Sequence, residues 1–131
     1  MAEALAALTE IEAGRHVDVT NMTPALMPLF APAVQDYLIS VINLDPVEVL
    51  RAADKEALII HGDRDIQVSM ADASLLDGVR NTELRIIDGM NHVLKAAPED
   101  RAGNLATYSD PNLPLAKDLV RRIRRFVKDN D

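Results

Sequence analysis

Apolar residues recur every three or four positions through the first third of the chain, then become contiguous in two short runs. Ala4, Leu5, Ala7, Leu8 and Ile11 hold helical spacing, and Gly14 stands where a helix needs a left-handed stop, so a short helix opens the chain. Thr23-Pro24 and Asp45-Pro46 each place a capping residue before a proline at the first helical position, and each precedes an apolar-periodic stretch. Between them, "APAVQDYLISVINL" carries Val34, Leu38, Val41 and Ile42 on one face. The first part of the chain therefore reads as helical, without strands.

The character changes at Ala57. "ALII" is a continuous aliphatic run of strand length closed by "HGDRD", and such runs belong to parallel strands covered on both faces. Ser69, with Asp72 three residues on, is an acidic form of the capping box and starts a helix that ends in "LLDGVRN". "LRIID" is a second run of the same kind. Strand, helix, strand is a parallel βαβ unit, expected to cross over right-handedly.

From Gly89 to Pro114 periodicity is weak and Pro98, Gly103, Pro111 and Pro114 interrupt the chain, which predicts a long loop broken at most by short turns. "LAKDLVRRIRRFVKDND" then sets Leu115, Leu119, Ile123, Phe126 and Val127 on one stripe. Arg121, Arg122, Arg124 and Arg125 flank it and read as a solvated helix face.

A chain of 131 residues fits one domain and buries roughly two thirds of its unfolded surface. Residues 1–55 form its helical, cap-like part and 56–131 its βαβ-α part. The core is aliphatic, with no tryptophan. A net charge of −7 repels nucleic-acid phosphate and anionic membrane surfaces, so neither is an expected partner. There is no cysteine, hence no disulfide, thiolate nucleophile or thiolate ligand. "MAEALAALTEIEAG" lacks the charged start and long apolar core of a signal peptide, and no apolar run approaches the roughly 20 residues that span a bilayer. The expected location is cytoplasmic.

Chemistry in α/β proteins gathers on loops leaving the carboxyl ends of parallel strands. Both runs here end in titratable clusters: His61, Asp63 and Asp65 after the first, Asp88, Asn91 and His92 after the second. In a βαβ unit these ends lie side by side. A carboxylate that accepts a hydrogen bond from one imidazole nitrogen fixes the tautomer and raises the basicity of the other nitrogen.

"LIIHGDRDIQV" and "IDGMNHVLKAAP" resemble the C-terminal part of an α/β-hydrolase, where one strand ends in Gly-x-x-Asp and the next shortly before a catalytic histidine. "PLFAPAVQDYLISVINLDP" resembles the helices that precede the acid-bearing strand in bacterial serine hydrolases of that superfamily, and "NLATYSDPNLPLAKDLVRRIRRFV" their closing loop and helix. The resemblance covers nearly the whole chain. It implies a truncated α/β-hydrolase fold with Asp65 as triad acid, His92 as triad base and Asp63 as a loop-shaping neighbour.

The departure from the family lies in the nucleophile. The elbow Gly-x-Ser-x-Gly is missing, as are the preceding strands that supply the oxyanion hole. None of Ser40, Ser69, Ser74 and Ser109 sits between glycines at that spacing. What remains implies water activated by an Asp65–His92 pair, slow and promiscuous turnover of a small activated carboxyl or phosphate ester, and no cofactor. His61, Asn91 and Asp63 are candidate binding or supporting residues. Three alternatives stay open: an inactive remnant retained as an assembly module, one half of a split enzyme, and a metal-dependent hydrolase in which His61, Asp63, Asp65 and His92 hold Zn²⁺ or Mn²⁺.

The missing half also makes a demand on packing. Leu58, Ile59, Ile60, Leu84, Ile86 and Ile87 are each worth roughly 1.5–3 kcal/mol when buried, on the order of 10–15 kcal/mol together, so a two-strand sheet cannot sit bare. Its edges also offer unpaired N–H and C=O groups. A homodimer that completes the sheet or exchanges N-terminal helices is the expected assembly.

Overall fold

The computed structural model describes residues 2–131 as two compact units, one within Met1–Asp45 and one spanning Pro46–Asp131. Among the described residues there are six α-helices and one sheet of two parallel strands, a mixed α/β architecture. No helix among them is long and apolar enough to cross a membrane.

The first unit holds α1 (Ala2–Glu12) and α2 (Pro32–Val41). Gly14 takes φ +75° just beyond α1, the left-handed stop that its position predicts. Ala7, Ile11, Met22 and Phe30 form the buried core of this unit, with Leu26, Leu38 and Ile42 packed around it. Gln35, 2% exposed, is the polar staple inside it. Its Nε2 donates to the carbonyls of Val17 and Phe30 at 2.9 and 2.7 Å, while its Oε1 accepts from the Val17 amide at 2.7 Å.

One N-terminal expectation is corrected. No helix starts at Thr23-Pro24; that stretch forms turns, and α2 begins at Pro32. The Thr23 hydroxyl and amide both donate to the Glu3 carboxylate, so this threonine fastens a turn to α1 and is not spent as a helix cap.

In the second unit α3 (Pro46–Ala53) starts at the Asp45-Pro46 signal and leads to β1 (Ala57–Gly62), α4 (Met70–Asp77) and β2 (Thr82–Ile87). The capping box at Ser69 forms in full: the Ser69 hydroxyl accepts from the Asp72 amide, and the Asp72 carboxylate accepts from the Ser69 amide. The strands pair in parallel with Ala57 opposite Thr82 and Gly62 opposite Ile87, so both carboxyl ends finish level.

Three further expectations are modified here. The stretch from 89 to 114 is not continuous loop: Asp100 caps α5 (Arg101–Ala106), which runs into a 3₁₀ turn at Thr107–Ser109. Helix α6 spans Leu119–Asp129, starting after Leu115, because Leu115 bridges to Lys95 and Asp118 is left-handed at φ 77°. The strands are also less covered than their aliphatic runs predict. Ile87 is buried with Met90, Ala116 and Leu119, yet Ile86 is 41% exposed, and the first four residues of both strands are half-buried. Two strands alone leave two edges; on β2 the Asp77 carboxylate accepts from the Leu84 amide at 3.0 Å, and no further strand among the described residues pairs with either edge.

Candidate active site

Level strand ends place two loops side by side. The first leaves β1 through Gly62, whose missing side chain is required: a Cβ there would stand 2.0 Å from the Met90 carbonyl oxygen. Asp63 and Asp65 follow on this loop. The Asp63 carboxylate accepts from the Gly89 amide at 2.7 Å and so ties the first loop to the second.

Asp65 folds back on its own chain. Its Oδ1 accepts from the amides of Gln67 and Val68 at 2.8 and 2.9 Å, an Asx-type turn that leaves Oδ2 directed at His92. The His92 Nδ1 lies 2.9 Å from that oxygen. A carboxylate can only accept, so Nδ1 carries the proton, and in the neutral ring Nε2 then keeps its lone pair. The Asp65 side chain is 6% exposed and that of His92 is 40% exposed: a shielded acid behind an accessible ring. Burial works against ionisation of Asp65, but the amides of Val68 and Gln67 and the His92 ring outweigh it, holding its carboxyl below the usual carboxylate range.

His61 is buried at the end of β1, and its Nδ1 stands 4.0 Å from the same Asp65 Oδ2, beyond hydrogen-bond reach. Its side chain is shielded from the solvent that reaches His92. Asp88 is exposed and outside this arrangement. Among the described residues no three His, Asp or Glu side chains are grouped so as to hold a metal ion. The mixed nitrogen and oxygen set is split, with Asp63 engaged at Gly89, so a Zn²⁺ or Mn²⁺ site would require these side chains to regroup.

Beside the acid a cleft of about 350 Å³ is lined by Asp63, Arg64, Asp65, Ile66, Glu99 and Asn104. Arg64 spans it, its guanidinium 2.8 Å from Glu99. Glu99 and Asn104 carry no signal in the sequence, since the segment from 89 to 114 reads there as loop, and Arg64 is passed over between the two acids of "HGDRD". Asn91 is brought to the site, but buried: it is 1% exposed and bonded to Asn104 and Thr107.

Protein-family models, curated proteins and solved structures, compared with the chain, give no match.

Proposed function

We propose that the protein is a minimal hydrolase of activated carboxyl or phosphate esters, with His92 as base to water and Asp65 as the group that holds the ring. The observation that carries this reading is the 2.9 Å contact between His92 Nδ1 and Asp65 Oδ2. It leaves Nε2 on the accessible side of the ring as the basic atom. In the proposed step Nε2 takes a proton from water as the water oxygen bonds to the ester carbon or phosphorus. The imidazolium then returns the proton to the leaving oxygen as its bond breaks. Without a serine there is no covalent intermediate, so turnover is slow and tolerant of substrate.

Two level parallel strands with Gly62-x-x-Asp65 after one and Gly89-x-x-His92 after the other support a reading of Pro46–Asp131 as the C-terminal part of an α/β-hydrolase fold. The test is hydrolysis of chromogenic carboxyl and phosphate esters by wild type, His92→Ala and Asp65→Asn. Equal rates in all three would end the reading.

A second reading, assembly, rests on exposed apolar surface. Ile86, Leu115, Val120, Ile123 and Val127 are all more than 40% exposed, and each strand of the sheet has only one strand neighbour. A homodimer covers such a surface in the way exposed sheet edges are usually covered, by pairing or by packing. Light scattering at micromolar protein then gives twice the 14.4 kDa chain mass. The monomer mass would remove the dimer, and a dimer without turnover would favour the assembly module or split-enzyme half. A cytoplasmic location and a small-molecule ester substrate belong to the same proposal.

A further inference from the structure

Asn91 and Arg64 each precede one member of the pair, and one buried side chain joins them. Asn104, 1% exposed, donates through Nδ2 to the Arg64 carbonyl at 2.8 Å and accepts through Oδ1 from Asn91 Nδ2 at 3.0 Å. Asn91 Nδ2 also donates to Thr107 Oγ1 at 2.6 Å, and the Thr107 hydroxyl donates to the Asn104 carbonyl at 2.8 Å. On its other side the Asn91 Oδ1 accepts from the Lys95 amide at 3.2 Å. The Asn91 amide donates to the Lys95 carbonyl, and its own carbonyl accepts from the Leu94 amide, both at 3.0 Å. The Lys95 ammonium straps the turn from behind by donating to the carbonyls of Thr107 and Asp110.

We infer that Asn91, Asn104 and Thr107, braced by Lys95, are positioning residues that hold the His92 ring on Asp65. The inference rests on the acid–base reading of that pair. Burial of two asparagines and a threonine is costly unless their hydrogen bonds are made, and apolar residues of similar size fill a core without that condition. A satisfied polar network confers one geometry instead of many. Here the network runs from the residue before the base to the residue before the acid. Its rigidity is therefore delivered to the separation of the two functional atoms, the quantity to which proton transfer is most sensitive.

Thr107→Val keeps the shape and removes both hydroxyl bonds; Thr107→Ser restores the hydroxyl. Protein labelled with ¹⁵N-histidine reads the ring directly. In wild type and Thr107→Ser the His92 ring is held as the Nδ1–H tautomer, while in Thr107→Val the two tautomers exchange. The expected kinetic signature of Thr107→Val is a fall in kcat of about 10–100-fold with KM little changed, recovered in Thr107→Ser. Lys95→Met, which leaves the three buried side chains in place, gives a smaller change in the same direction and serves if Thr107→Val does not fold. A wild-type ring signal in a folded Thr107→Val or Lys95→Met protein overturns the inference. His92→Ala hydrolysing esters as fast as wild type defeats the acid–base reading instead, and the ring signal, which reads no reaction, keeps the two failures apart.

Discussion

Gly62 and Met90 approach so closely that a side chain on the glycine would stand 2.0 Å from the Met90 carbonyl oxygen. That carbonyl also accepts from the Arg64 amide at 3.0 Å, so the approach locks the loop of Asp65 onto the loop of His92. Because the obstacle is backbone, it cannot rotate away. Gly62→Ala should lower stability by about 1–3 kcal/mol, the usual result of overpacking, and reduce hydrolysis as well. A urea midpoint and turnover both equal to wild type would show that the two loops are not coupled through this contact.

His92→Ala should cut ester turnover by about 10²–10⁴-fold, the usual worth of a positioned base. Asp65→Asn should fall in the same range, since an amide offered to Nδ1 no longer fixes the tautomer. Thermal melts within a few degrees of wild type are expected for His92→Ala, whose ring is substantially accessible. Initial rates on a chromogenic ester, with background hydrolysis subtracted, provide the check.

The pH dependence of stability follows from Asp65. Its carboxyl ionises below the usual range when folded, although burial opposes this, because the Val68 and Gln67 amides and His92 favour the charged form. A depressed folded value means stabilisation that is present above the unfolded value, about 3.9, and lost as the pH falls through the folded one. Wild type should therefore exceed Asp65→Asn in stability at pH 7, with the gap closing below about pH 4. Denaturant midpoints measured from pH 7 down to pH 3 decide this; a gap that stays constant would contradict it.

In the first unit Gln35 carries the clearest stability prediction. Gln35→Ala leaves the Val17 amide and the carbonyls of Val17 and Phe30 without their partners, and it opens space beside Phe30. A loss on the order of 2–4 kcal/mol is expected by chemical denaturation. A change under about 1 kcal/mol would mean that water replaces the amide freely.

The second unit was legible where local signals were strong. The runs from Ala57 and Leu84, the Ser69 and Asp72 capping box and the two strand-end clusters specify the βαβ unit and the meeting of Asp65 with His92. The segment around Asn104 was not legible. Helix α5 is six residues long and follows an Asp100 cap, with Gly103 inside it and too few turns to establish a period. Its purpose is tertiary, the delivery of Asn104 to Arg64 and Asn91, and no pattern of spacing encodes partners 40 and 13 positions away. Thr23 misled for a similar reason, since the bond to Glu3 is a long-range choice between two uses of one hydroxyl.

Asp65 takes two of its three hydrogen bonds from its own backbone neighbours. The carboxylate therefore does not depend on the imidazole for its place. Cut the ring away, as in His92→Ala, and a prebuilt socket is left, open to water on one side and ending in an acceptor already aimed. Free imidazole added at millimolar strength has somewhere to lodge, and its supply should rescue a part of the missing rate.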